Sequence, residues 1–120
     1  MSIGPGNPGR KPIVFLGGRI KTPPFSQAGR VEAGELLGML QDGESLTMPH
    51  SRRMPSLGPR CHELRVRDEE HNWRIFYRID PDAILVVSVF PKRTRQTPKS
   101  EIDLCQRRLA AYDREEESDG

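Results

Sequence analysis

Apolar and polar residues alternate most regularly between Cys61 and Lys99, and the strands this implies organise the rest of the chain. In 62–67 (HELRVR), Leu64 and Val66 alternate with Glu63, Arg65 and Arg67, the two-residue period of a strand with one buried face. Arg65 and Arg67 therefore point the same way. After a polar turn, 73–79 (WRIFYRI) puts Trp73, Ile75, Tyr77 and Ile79 on one face and Arg74, Phe76 and Arg78 on the other. Pro81 breaks the chain. The uncharged, β-branched run 83–90 (AILVVSVF) then predicts a strand buried on both faces. Four cations, Lys92, Arg93, Arg95 and Lys99, follow where that strand stops.

The flanking chain supplies helices and one more strand. Residues 1–10 are mostly Gly, Pro, Asn and Ser, which predicts a disordered leader ahead of a folded domain at 11–113. Pro12 to Leu16 reads as an opening strand. Thr22 before Pro23 signals a helix start. Phe25, Ala28, Ala33, Leu36, Leu37 and Leu40 then recur near helical spacing up to Asp42-Gly43, with Gly29 or Gly34 as candidate breaks. Residues 44–60, rich in Pro, predict an ordered loop carrying His50, Arg52 and Arg53. Thr97-Pro98 opens a last helix whose packing stripe is Ile102, Cys105, Leu109 and Tyr112. An acidic, mobile tail is expected at 114–120.

Charge sharpens this picture. The net charge of +2 conceals an asymmetry, because the last eight of the 120 residues hold five acids and one base. Taking those from 17 acidic and 19 basic residues leaves 12 against 18 in the body of the chain. Such an excess favours a polyanionic partner. No run of about 18 apolar residues is present and the N-terminus lacks an apolar signal core, so no membrane association and a cytoplasmic location are expected. Two cysteines without CxxC spacing fit a reducing compartment and no disulfide.

Metal chemistry is not expected, since His50, His62, His71 and the cysteines show no ligand spacing. No nucleophile elbow and no phosphate-cradling glycine loop occurs, and no cofactor is implied. What remains is an array of arginines and lysines on a sheet. Guanidinium forks pair bidentately with phosphate oxygens, and fixed cations stabilise the more negative transition state of RNA cleavage by its own 2′-hydroxyl. An arginine is a poor proton acceptor, so a separate base is needed. Glu63, sharing a strand face with Arg65, is the leading candidate, ahead of His62 and His71.

With these motifs in hand, ELRVR, WRIFYRID and VVSVFPKRTRQTPKSEI leading into RRLAAYD, the chain resembles RelE/HigB toxins of bacterial toxin-antitoxin systems, in particular phage-associated HigB-like proteins. PFSQAGR and LLGMLQDGESLTMPHSRRM extend the likeness, which covers roughly residues 13 to 113. The resemblance implies an α+β domain: an antiparallel sheet with an N-terminal helix or helix pair and a C-terminal helix. It implies a metal-independent endoribonuclease cutting messenger RNA, usually in the ribosomal A site, silenced by a cognate antitoxin expected to be of helix-turn-helix type. Carried over by position, Arg65 and Arg74 would hold the scissile phosphate, and Lys92 and Arg93 would stabilise the transition state. Arg52, Arg53, Arg67 and Arg95 would bind flanking backbone. Glu63 stands where related toxins can carry a lysine. A ParE-like gyrase poison, or a non-catalytic phage interaction protein, on the same scaffold remains the alternative.

Overall fold

The computed structural model describes residues 10–16, 25–68, 71–92 and 96–119. Alternation located three strands correctly: β3 (Cys61–Arg67), β4 (Asn72–Ile79) and β5 (Ile84–Pro91) form an antiparallel meander. Two three-residue strands flank them. With β1 (Ile13–Phe15) and β2 (Ser51–Arg53) the sheet order is β1-β5-β4-β3-β2. Helices α1 (Gln27–Gln41) and α2 (Lys99–Asp119) complete the expected α+β domain.

The sheet is mixed, where a wholly antiparallel one was expected. β1 runs parallel to β5, with Ile13 opposite Ile84 and Phe15 opposite Val86. Nearly seventy residues separate the two strands in sequence, so no hairpin dictates their relative direction. The segment 44–60, expected to be loop throughout, contains β2 and a single 3₁₀ turn at Pro55–Leu57. Buried Ser51 anchors β2, its hydroxyl 2.6 Å from the Tyr77 hydroxyl of β4.

Helix α1 is continuous, and neither Gly29 nor Gly34 breaks it. The expected start at Thr22-Pro23 lies outside the described residues. Ser26 is the N-cap: its hydroxyl accepts from the Gly29 amide at 3.2 Å. The Asp68 carboxylate in turn accepts from the Ser26 amide at 2.8 Å and from the Ser26 hydroxyl. Buried Gly29, Ala33, Leu36 and Leu40 recur at steps of four, three and four, which sets one stripe against the sheet. Gly43, at φ +88°, ends the helix in a conformation that favours glycine.

The two helices cover opposite faces. Under α1 lie Leu64, Val66, Trp73, Ile75, Tyr77, Ile84 and Val86. Under α2 lie Cys61, Phe76, Leu85, Val87 and Phe90, packed by Cys105 and Leu109, with Ile102 and Tyr112 beside them as the spacing predicted. β5 is buried on both sides, also as predicted, and full burial of each such side chain stabilises by about 1.5–3 kcal/mol. A β-bulge at Phe76/Tyr77 leaves Val87 without a partner across the ladder, so Val87 and Ser88 both face α2. Both cysteines are buried and free. Among the described residues no helix is long and apolar enough to cross a membrane.

Helix α2 continues into the acidic segment and reaches Asp119. Arg78 anchors the helix just ahead of that segment. Its guanidinium donates to Asp80 at 2.7 and 2.9 Å and to Asp113 at 2.7 and 3.1 Å, and lies 6.0 Å from the Tyr112 ring centroid. One buried arginine thereby ties the C-terminal half of α2 to the sheet.

Candidate anion-binding cleft

Strand pairing decides which cations meet. Arg65 of β3 stands directly opposite Arg74 of β4, and Arg52 of β2 stands opposite Glu63 of β3. Alternation sends all four side chains to the face that carries α2. Like charges directly opposed across a ladder destabilise a sheet unless something neutralises them. Glu63 does so. Its Oε1 lies 3.1 Å from Arg52 Nε, 3.5 Å from Arg65 Nε and 3.7 Å from Arg74 Nε.

Lys92, just beyond β5, belongs to the same electrostatic neighbourhood. Its backbone amide donates to the Asn72 carbonyl at 2.7 Å. Burial first, and then Arg74, Arg52 and Arg65, hold its ammonium below the usual lysine range, while Glu63 opposes the shift. Burial also lowers the Arg74 pKa, with Glu63 opposing and Arg65 and Arg52 adding to the fall. Both gain if an anion replaces lost solvent.

A cleft opens where β2 ends and leaves half of β3 without a neighbouring strand. There the Arg65 amide donates to the His50 carbonyl at 2.8 Å, and the Arg67 amide to Glu32 Oε2 of α1 at 2.7 Å. The hollow, about 390 Å³, is lined by Arg65, Arg67 and Arg74 together with His50, Asn72 and Glu32. Three guanidinium groups on one small concavity suit a phosphate and its neighbours along a nucleic-acid strand.

The expected site residues thus divide into groups. Arg65, Arg67 and Arg74 line the cleft, and Arg52 and Lys92 join them through the field around Glu63. Arg53 does not. The register puts it opposite His62 on the other face, where it lines a separate hollow of about 520 Å³ with Arg60 and His62. Alternation accounts for this, since neighbours in a strand point to opposite faces. Arg93 and Arg95 lie outside the described residues. Glu63, expected as the proton acceptor, is wholly buried behind Arg52, Arg65 and Arg74. Its geometry is that of a shared counter-ion.

The histidines occupy three different settings. His62 stacks on Tyr77 at 5.2 Å, and burial, then Arg53, push its pKa down. His71 meets the edge of Trp73 at 5.9 Å. Only His50 lines the cleft among them. Its loop was marked by length and proline content, but Glu32 and Asn72 carried no signal, since their proximity to Arg67 exists only once α1 and the hairpin are packed. Among the described residues, no three His, Cys, Asp or Glu side chains stand together as a metal site.

Fold and cleft together define a small α+β domain that presents clustered arginines at the uncovered margin of its sheet. The chain belongs to the family described as Phage derived protein Gp49-like (DUF891), whose model matches residues 24–110. That span runs through α1, β2 to β5 and the first half of α2. It agrees with the phage-associated part of the expectation. No curated protein and no solved structure matches the chain.

Proposed function

We propose that this protein is the toxin of a toxin-antitoxin pair and acts as a metal-independent endoribonuclease on messenger RNA. The observation that carries the reading is the convergence of Arg65, Arg67 and Arg74 on one cleft, with buried Glu63 shared by Arg65 and Arg74 behind it. Membership of the Gp49-like phage-derived family supports it, as does the resemblance to RelE/HigB toxins.

In this reading the RNA 2′-hydroxyl attacks the adjacent phosphorus. The new P–O2′ bond forms as the P–O5′ bond breaks, leaving a 2′,3′-cyclic phosphate and a 5′-hydroxyl. Arg65 and Arg74 hold the non-bridging oxygens, where negative charge grows in the transition state. Lys92 adds a compact positive charge, and Arg67 and Arg52 hold the backbone to either side. His50, on the cleft wall, is the side chain we assign to accept the 2′-hydroxyl proton. A proton from solvent or from Lys92 neutralises the departing O5′. The chain's own cations provide the electrostatic stabilisation, so the reading calls on no metal. The ribosomal A site as the place of cleavage, and a helix-turn-helix antitoxin as the silencing partner, follow from the resemblance.

The test is Arg74→Ala. Growth arrest and RNA cleavage should fall by about 100-fold or more, while circular dichroism stays that of the parent. A fully toxic Arg74→Ala protein would refute the assignment. Arrest of DNA synthesis ahead of translation by the parent protein would favour a gyrase poison instead.

A further inference from the structure

Glu63 is the feature of the cleft that an anion-binding role does not by itself require. A carboxylate inside a phosphate site repels the ligand, yet this one is wholly buried at the centre of the cation cluster. Its hydrogen bonding is incomplete. Oε1 accepts from Arg52 Nε, whereas Oε2 has no hydrogen-bond partner, and neither have the buried Nε atoms of Arg65 and Arg74. Buried polar atoms without partners are costly and are retained for a reason. The reason lies in the ladder: Arg65 and Arg74 face each other across β3 and β4, and Arg52 approaches from β2. Three guanidinium groups would splay apart without a negative charge between them.

We infer that Glu63 is a positioning residue, a resident anion that gathers Arg52, Arg65 and Arg74 from three strands and holds them convergent before any substrate arrives. The inference rests on the reading of the cleft as an RNA-cleaving site. The carboxylate lies on the Nε side of the guanidinium groups. Arg74 Nη1 donates to the Trp73 carbonyl at 3.2 Å, and the remaining outer Nη atoms are left for a phosphate in the cleft. It also balances charge: Arg52, Arg65, Arg74 and Lys92 share Glu63, and with Arg67 and Glu32 on the cleft wall the site stays net positive while the arginines nearest one another are restrained. Glu63 thus trades some attraction for RNA against correct geometry in the transition state.

The experiment compares the parent protein with Glu63→Gln, which keeps the shape and removes the charge, and Glu63→Asp, which keeps the charge and withdraws it by one methylene. Binding is measured with an RNA carrying a 2′-deoxy sugar at the cleavage point, and chemistry by single-turnover cleavage of the all-ribose strand. Both variants should lose at least about tenfold in cleavage rate, with Asp retaining more activity than Gln. Affinity for the uncleavable RNA should stay within about twofold or tighten. The pH-rate profile should keep the parent's shape. The Nε–Hε resonances of Arg52, Arg65 and Arg74 should shift together in the Gln variant while that of Arg78 stays put. If Gln does not fold, the Asp variant carries the same comparisons.

Unchanged cleavage, a parallel loss of binding, or the disappearance of one limb of the pH profile would overturn the inference, the last by making Glu63 a base. Should the parent cleave no RNA at all, the reading of the site fails. The resonances then decide the inference alone: a joint shift sustains Glu63 as organiser of the arginines, and unmoved signals refute it.

Discussion

Arg74 and Arg78 occupy the same face of β4, four residues apart, and their surroundings give them opposite tasks. Arg74 has no hydrogen bond from Nε, shares Glu63 with two other arginines, donates from Nη1 to the Trp73 carbonyl at 3.2 Å and lines the cleft. Arg78 is spent on two carboxylates, Asp80 and Asp113, whose hydrogen bonds raise its pKa further. Replacing Arg78 by Ala leaves Asp80 buried and short of a partner, and should cost about 2–4 kcal/mol in urea unfolding. Asp113 adds a pH signature. Hydrogen bonding from Arg78 holds its carboxyl below the ordinary 3.8, with burial opposing. A carboxyl whose pKa falls on folding stabilises above its unfolded value, and that gain is lost as pH drops through the folded one. Stability should therefore decline below about pH 4, and Asp113→Asn should flatten that part of a stability profile taken at stepped pH.

Among the elements, α1 shows how tightly a helix start can be built into a sheet. Asp68, immediately after β3, accepts from the Ser26 amide and hydroxyl and from the Trp73 indole at 3.3 Å. That lock needs Gly29. A Cβ there would stand 2.8 Å from the Asp68 carboxyl carbon, whereas a Cβ at Gly34 meets nothing within 4 Å. The two alanine substitutions should consequently move stability in opposite directions. Gly29→Ala should lower it by about 1–3 kcal/mol through the clash, and Gly34→Ala should raise it by up to about 1 kcal/mol through helix propensity alone. Thermal unfolding of the pair distinguishes a packing requirement from a propensity effect.

For the molecule as a whole, the cleft concentrates positive charge on one margin while the acidic residues gather at the far end of α2. On the proposed RNA-binding reading, affinity for RNA should fall steeply with salt, and Arg67→Ala should weaken binding similarly for all sequences while reducing the log–log salt slope by about 0.7. Titrations at several salt concentrations measure both. Much of this was legible in the chain. Period-two alternation placed Arg65 and Arg74 on facing strands, and the uncharged run at 83–90 marked the central strand. Features built from distant segments were not legible. Three residues at Ser51–Arg53 are too few to show a period, β1 chose its direction without a turn to guide it, and Glu32 reaches Arg67 only through the packing of α1. Alternation put Glu63 beside Arg65, but its pairing with Arg52 exists only once β2 joins the sheet.

The shortness of β2 has a cost beyond the cleft. A ladder abandoned halfway along β3 exposes peptide groups onto which another polypeptide could stitch itself, the route by which soluble proteins aggregate. Glu32 stoppers that gap by occupying the Arg67 amide with a carboxylate. The opening is thus denied to a stray strand, because what closes it is a side chain and not more backbone.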